Sequence, residues 1–196
     1  MPAASSTMVP LGANAPSFSL PNTNPDFGGS SVSLDDLTGN ALVVMFLCNH
    51  CPFVKHIRDQ LAALGRDYAG RGVSIVAISS NNVQTHPADA PDKMTQEARD
   101  AGYTFPYLYD ETQEVARAYR AACTPDFYVF DRDRQLVYRG QLDDSRPSLP
   151  LPVTGKDLRT AIDRALAAKP PLEIQKPSIG CNIKWKPGVE PDDFAS

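Results

Sequence analysis

Cys48 and Cys51 stand three residues apart, with Asn49 and His50 between them and Pro52 directly after. Two thiols at this spacing can close into a disulfide and open again, so the pair can exchange two electrons with another thiol or disulfide. The same Cys-x-x-Cys is half of a tetrahedral zinc site. No second Cys-x-x-Cys and no His-x-His is present to complete one, so redox chemistry is the stronger reading, and no metal or other cofactor is expected. The metal alternative is a copper site built from the two cysteines and a remote histidine, with His86 as the candidate third ligand. His56 is a weaker candidate, because five residues past Cys51 on a helix it points about 140° away and reads as a surface histidine.

Such chemistry needs the sulfurs held in place, and the flanking sequence supplies the supports. Residues 41–48, ALVVMFLC, are apolar without alternation, as in a central strand covered on both faces. Then the period changes. Phe53, Val54, Ile57, Leu61, Leu64 and Tyr68 fall on one helical stripe, with Lys55, Arg58, Asp59 and Arg66 opposite, predicting a helix over about 52–69 ended by Gly70. Cys48 is thereby expected just before the helix and Cys51 in its first turn. Amides and the dipole at a helix N-terminus stabilise a thiolate, and His50 can add to this as a cation or a donor. Cys48 is the expected lower-pKa thiol.

Residues 73–78, VSIVAI, complete a strand–helix–strand unit, normally parallel and right-handed. Upstream, Phe18–Leu20 and the Val32–Leu34 stretch predict two short strands joined by a polar loop. Downstream, the pattern predicts a loop over 79–92, a helix over about 92–101 stopped by Gly102, and a brief extended piece at 105–109. Asp110 and Gln113 have capping-box spacing for a helix through about Ala122. A hairpin follows, residues 127–130 and 136–138 around Asp131-Arg132-Asp133-Arg134. After a Pro-rich loop at 143–153, Thr154 and Asp157 form a second capping pair, for a helix carrying Leu158, Ile162, Ala165 and Leu166. Residues 170–196 hold five prolines and no helical period. Within this tail Ile179, Cys181, Ile183 and Trp185 alternate, which places all four on one face of an extended segment.

Thr124-Pro125, immediately before the strand DFYVF, resembles the cis-proline loop that faces the cysteine pair in thioredoxin-fold proteins. Together the runs VVMFLCNHCPFVKHI, VSIVAIS and CTPDFYVFD and the hairpin after them resemble the thioredoxin-like superfamily over about residues 10–168. The similarity is to the branch shared by peroxiredoxins of the alkyl hydroperoxide reductase and thiol-specific antioxidant type and membrane-tethered thiol-disulfide oxidoreductases. DDSRP at 143–147 and KPSIGCNIKWKPG at 176–188 further resemble a peroxiredoxin-like subgroup that carries the Cys-x-x-Cys.

The resemblance implies a thioredoxin-like α/β fold: a central mixed β-sheet flanked by helices, with an N-terminal β-hairpin and an extended C-terminal tail. One domain spans 1–196, its core at about 10–168 and its tail, 169–196, packed on it. It implies Cys48, Cys51 and Pro125 as catalytic residues, with Asn49, His50, Pro52 and Thr124 lining the site. In that scheme Cys48 attacks a disulfide, the mixed disulfide docks along the Pro125 loop by main-chain hydrogen bonds, and Cys51 resolves it. Two departures bear on function. Aligned on Cys51, Val44 and Cys48 stand where peroxiredoxins carry Pro and Thr or Ser, and Pro125 stands where they carry Arg. Disulfide exchange therefore outranks its alternative, an antioxidant thiol peroxidase. The dipeptide between the cysteines is Asn-His rather than Gly-Pro, and a His before the second Cys resembles strongly oxidising members, so a comparatively oxidising pair is expected.

Two further cysteines have two readings each. Cys123, beside Thr124, is either a redox partner or a small buried residue, and Cys181 is either a third redox cysteine taking the disulfide from Cys48 or Cys51 or a packing residue of the tail. Trp185 is expected to anchor the tail, and Arg146 to pair with Asp143 or Asp144 at the surface. Nineteen basic against twenty-three acidic side chains, net −4, argue against nucleic acid or anionic lipid as a partner. The longest apolar run is eight residues, against roughly 20 for a membrane span. The first fifteen residues lack the basic and apolar regions of a secretory signal. A cytoplasmic setting is expected, with thiol- or disulfide-bearing proteins or small molecules as substrates and a reductant of the thioredoxin or glutathione type.

Overall fold

Short apolar runs set the strands and longer amphipathic stretches the helices of the computed structural model, which describes residues 3–191. In chain order these are β1 (Ala3–Ser5), β2 (Ser19–Pro21), β3 (Ser31–Ser33), β4 (Ala41–Phe46), α1 (Pro52–Tyr68), β5 (Val73–Ser79) and α2 (Pro91–Ala101). There follow β6 (Tyr107–Tyr109), α3 (Glu114–Ala118), β7 (Cys123–Thr124), β8 (Asp126–Phe130), β9 (Leu136–Gly140), α4 (Lys156–Leu166) and β10 (Ile179–Asn182).

Every residue of β4 is buried, and the strand lies at the centre of a five-stranded sheet ordered β6-β5-β4-β8-β9. β4 runs parallel to β5 and antiparallel to β8, so the sheet is mixed, and β8 and β9 form the expected hairpin. Because side chains alternate along a strand, β4 feeds two cores. Val43 and Met45 pack with Val54, Ile57, Leu61 and Leu64 of α1, Met94 and Ala98 of α2, and Leu158 and Ile162 of α4. Leu42, Val44 and Phe46 pack on the other face with Val115 and Ala116 of α3 and with Phe18 and Val32 of the β2–β3 hairpin. Helices thus flank both faces of the mixed sheet.

α1 begins where the sequence places it, with Pro52 as its first residue, a position whose amide has no partner in any helix. Two caps differ from expectation. Asp110 and Gln113 do not cap each other. Asp110 accepts the Ala116 amide at 2.9 Å and the Ser80 hydroxyl at 2.8 Å, while Gln113 takes a left-handed backbone conformation and binds the Lys184 carbonyl and the Lys186 amide. Drawn toward the tail in this way, the segment forms only the short helix Glu114–Ala118 and does not reach Ala122. Ahead of α4, Asp143 accepts the Thr154 and Gly155 amides at 2.6 Å each and the Thr154 hydroxyl accepts the Lys156 amide at 3.3 Å, while Asp157 accepts from Gln141 rather than pairing with Thr154.

The tail folds back as a strand. β10 lies between β1 and β7 in a separate three-stranded antiparallel sheet, with Cys181 opposite both Ala3 and Thr124. Cys181 and Ile183 are buried and Trp185 packs on the second core, but Ile179 is 40% exposed, so the four residues do not share one buried face. Positions 192–196 of the expected tail lie outside the described residues.

Candidate active site

The strand-to-helix junction places Cys48 just beyond β4 and Cys51 at the N-cap of α1, one position earlier than the first turn. Both face one residue of the opposite loop. Cys48 Sγ lies 3.2 Å from the Thr124 hydroxyl, and Cys51 Sγ lies 3.2 Å from the Thr124 carbonyl. The Thr124–Pro125 peptide bond is cis. A third sulfur completes the group, with Cys181 Sγ of β10 at 2.8 Å from Cys51 Sγ. All four cysteines are free thiols, and all are buried.

Charge is not shared evenly among these sulfurs. Donation from the Cys48 S–H lowers Cys51 to about 5, outweighing burial, and donation from Cys181 together with the Val54 and Cys181 amides adds to the effect. The donor moves the other way: its hydrogen bond to Cys51, then burial and the Asp89 carboxylate, push Cys48 well above the ordinary thiol value. Burial and donation to Cys51 push Cys181 up to about 12. The expectation that Cys48 is the more acidic thiol is therefore reversed, because Cys51, at the helix terminus, is the sulfur on which the donors converge.

His50 and Asn49 are held by a residue the sequence did not single out. Asp89, fully buried, accepts His50 Nδ1 at 2.6 Å, the Asn49 and His50 amides at 2.8 and 3.3 Å, and Asn81 Nδ2 at 2.8 Å. Burial pushes the Asp89 carboxyl up, but the hydrogen bonds from His50, Asn81 and Asn49 prevail and hold it below the usual carboxylate value. The Nδ1 contact fixes the His50 ring, whose Nε2 is buried and has no partner among the described residues. Asn49 is further tied to the Ala88 carbonyl and to the Tyr107 hydroxyl. Nothing in HPADAPD marks Asp89, because all its partners but Asn81 come from a segment about forty residues earlier.

Among the described residues, Cys48, His50 and Asp89 form the one group of potential metal ligands, their donor atoms lying within 4.8 Å of one another. The Asp89 oxygens are already engaged by four N–H donors. His86 is not in that group. Its ring lies 4.9 Å from the His50 ring and its Nδ1 pairs with Thr85, so the copper trio of Cys48, Cys51 and His86 is not assembled. His56, expected at the surface, is half-buried and lines a small cleft beside Pro125 with Phe53, Arg146 and Ile179. Arg146 pairs with neither carboxylate, and instead donates to the Asp143 and Ser145 carbonyls and to Gln141.

Cys123 points away from the pair, toward the Pro125 carbonyl at 3.6 Å, and burial pushes its thiol well above the ordinary value. Pro52 is exposed at the start of α1. The edge of the Thr124–Pro125 loop, expected to be open for a substrate backbone, is covered by β10, whose Cys181 and Asn182 pair with Thr124 and Cys123. Gly180 makes this approach possible, since a Cβ there would lie 2.0 Å from the Thr124 carbonyl oxygen.

Several known proteins are similar to this chain. The AhpC/TSA family model matches residues 11–139. A solved structure of an uncharacterized conserved protein from Geobacillus kaustophilus is 57% identical, covers 96% of this chain and 98% of its own, and superposes with a TM-score of 0.92. The thioredoxin domain of a thiol-disulfide oxidoreductase from Bacteroides vulgatus, 17% identical, superposes with a TM-score of 0.56 over 70% of this chain and 90% of its own. The fold is thioredoxin-like. Thiol-disulfide oxidoreductase ResA of Oceanobacillus iheyensis is 28% identical over 60% of this chain, and a Mycobacterium tuberculosis protein provisionally named a peroxiredoxin is 32% identical over 59%. The matches span 58% and 66% of those two curated relatives, less than two thirds of either.

Proposed function

The chain belongs to the AhpC/TSA family, and on that premise we propose that it is a thiol-disulfide oxidoreductase with Cys48 and Cys51 as its working pair. One observation carries the reading: a low-pKa sulfur at a helix N-cap and a second thiol donating to it, both set against the cis Thr124–Pro125 loop. A thiolate is the attacking species in exchange, so the first attack belongs to Cys51 rather than Cys48. Cys51 Sγ bonds to one sulfur of a substrate disulfide, and the other sulfur leaves as a thiolate that takes up a proton. Cys48 then loses its proton, attacks Cys51 Sγ and expels the second substrate sulfur as a thiol. The product is a Cys48–Cys51 disulfide, and two electrons have passed to the substrate. Return to the dithiol is assigned to a reductant of the thioredoxin or glutathione type in a reducing, cytoplasm-like compartment. Substrates are disulfides of proteins or small molecules.

A peroxidase reading has one point in its favour, since a Cys51 oxidised to sulfenic acid would have a thiol on either side to condense with. Against it stands Pro125 at the position of the peroxiredoxin Arg. Insulin reduction in the presence of dithiothreitol, run beside a thiol-dependent peroxide-consumption assay, separates the two. The expected result is accelerated insulin reduction that Cys51→Ser and Cys48→Ser each abolish. Rapid peroxide consumption without insulin reduction overturns the proposal.

A further inference from the structure

The strand that seals the site has the attributes of a substrate. It lies antiparallel to the backbone just before the cis proline, with Cys181 opposite Thr124. It presents a thiol 2.8 Å from the Cys51 sulfur. It is also held firmly, by β1 along its other edge, by the Ser178 hydroxyl to the Pro125 carbonyl, and by the Ile183 amide to the Ala122 carbonyl at 3.2 Å. Adding a strand to an exposed backbone edge is a general mode of peptide recognition, and here the chain supplies the added strand itself.

We propose that β10 is a built-in substrate strand and that Cys181 is a third redox cysteine, which receives the disulfide from the Cys48–Cys51 pair by exchange at Cys51. The proposal rests on the reading of Cys48 and Cys51 as the working pair. Starting from the Cys48–Cys51 disulfide, the Cys181 thiol gives up its proton and its sulfur attacks Cys51 Sγ. The Cys51–Cys181 bond forms as the Cys48–Cys51 bond breaks, and Cys48 leaves as a thiolate that takes up a proton. No electrons are gained or lost. The oxidising equivalent moves from the junction beneath β10 onto the strand itself, so an incoming thiol has a second sulfur to attack. Cys48 and Cys51, at 1% and 0% exposure, are inaccessible while β10 is docked.

Trypsin makes the test direct, because the sequence places Cys48 and Cys51 in the peptide of residues 1–55, Cys123 in 121–132 and Cys181 in 165–184. Full-length Cys48→Ser and Cys181→Ser proteins, each shown to retain the wild-type circular dichroism spectrum, are oxidised mildly with diamide, blocked and mapped without reduction. Cys48→Ser is expected to lose two free thiols and to yield peptide 1–55 cross-linked to 165–184. Cys181→Ser is expected to lose two thiols with both inside peptide 1–55. If Cys48→Ser keeps all its thiols, or links 1–55 to 121–132, the relay is overturned while the working pair stands. If Cys181→Ser forms no Cys48–Cys51 bond, the working pair itself fails. Should Cys48→Ser not fold, Cys48→Ala serves in its place with the same outcomes.

Discussion

At Cys51 two amides and two thiols contend with burial, and the hydrogen bonds win. The depressed value has a definite sign in linkage. Cys51 titrates at about 5 in the fold, against about 8.5 unfolded, so its thiolate stabilises the reduced protein fully above the unfolded value, and this contribution is lost as pH falls through about 5. Ultraviolet thiolate absorbance of the reduced protein is therefore expected to show a midpoint near 5, and Cys48→Ala, which removes the principal donor, to raise it by about one unit or more. An unchanged midpoint would show that Cys48 does not hold the charge. A stabilised thiolate also favours the dithiol, so equilibration with glutathione buffers is expected to give a potential less negative than about −270 mV. Asp89 is a second residue of consequence. Asp89→Ala strands the His50 and Asn49 amides, His50 Nδ1 and Asn81, and should cost about 3 kcal/mol in chemical denaturation; a loss within error of zero would refute the role of this carboxylate as organiser of the loop. The cysteine pair and Thr124-Pro125 were visible in the sequence because a short spacing and a dipeptide carry them. Asp89, by contrast, acts mainly through Asn49 and His50, distant in the chain, and which sulfur is acidic depends on who donates to whom, a matter of geometry that spacing does not encode.

Elements with their own period were readable: β4, α1, β5, α2 and the β8–β9 hairpin lie where apolar runs, helical stripes and turn residues put them. Caps were not. Asp110, Gln113, Thr154 and Asp157 have the right types at the right intervals, yet neither pair closes a reciprocal box, because Gln113 is drawn to the tail and Asp157 to Gln141. Nor did alternation in the tail disclose that β10 would pair with β7 and β1, since strand pairing is a choice among edges far apart in sequence. Gly180 is where that choice is enforced. A methyl group at this position meets a backbone oxygen rather than a side chain that could yield. Gly180→Ala is expected to lower stability by about 1–3 kcal/mol and to speed alkylation of Cys51 several-fold as β10 loosens. Alkylation at the wild-type rate would mean that β10 does not gate the sulfur.

On the scale of the whole molecule, the two cores on either face of the sheet fix the junction from below, and the three-stranded sheet closes it from above. Ser6 joins the two ends of the chain to that closure: its hydroxyl donates to Asp126 at 2.7 Å and accepts the Ser178 amide at 2.9 Å. Asp126 is itself fully buried next to Pro125, and burial lifts its carboxyl to about 7. Ser6→Ala should therefore cost about 1–3 kcal/mol and raise the rate at which Cys181 reacts with a maleimide, although residue 6 touches no cysteine of the working pair. A change in stability without a change in Cys181 reactivity would uncouple the N-terminal strand from the site.

The pairing of β1 with β10 also sets a schedule. On a growing chain Ala3–Ser5 is made long before residues 179–182, the strand it pairs with. By then the five-stranded sheet, α1 and both junction cysteines have all been made. A newly synthesised molecule thus passes through an interval in which its core is folded while the Thr124–Pro125 edge is bare and Cys51 lacks one of its two thiol donors. Adding β1 to the outer edge of β10 closes the long loop between Ala3 and Cys181, an entropic cost that grows only slowly with length. The full set of donors around Cys51 is therefore acquired only once β10 has been made and has docked on β7.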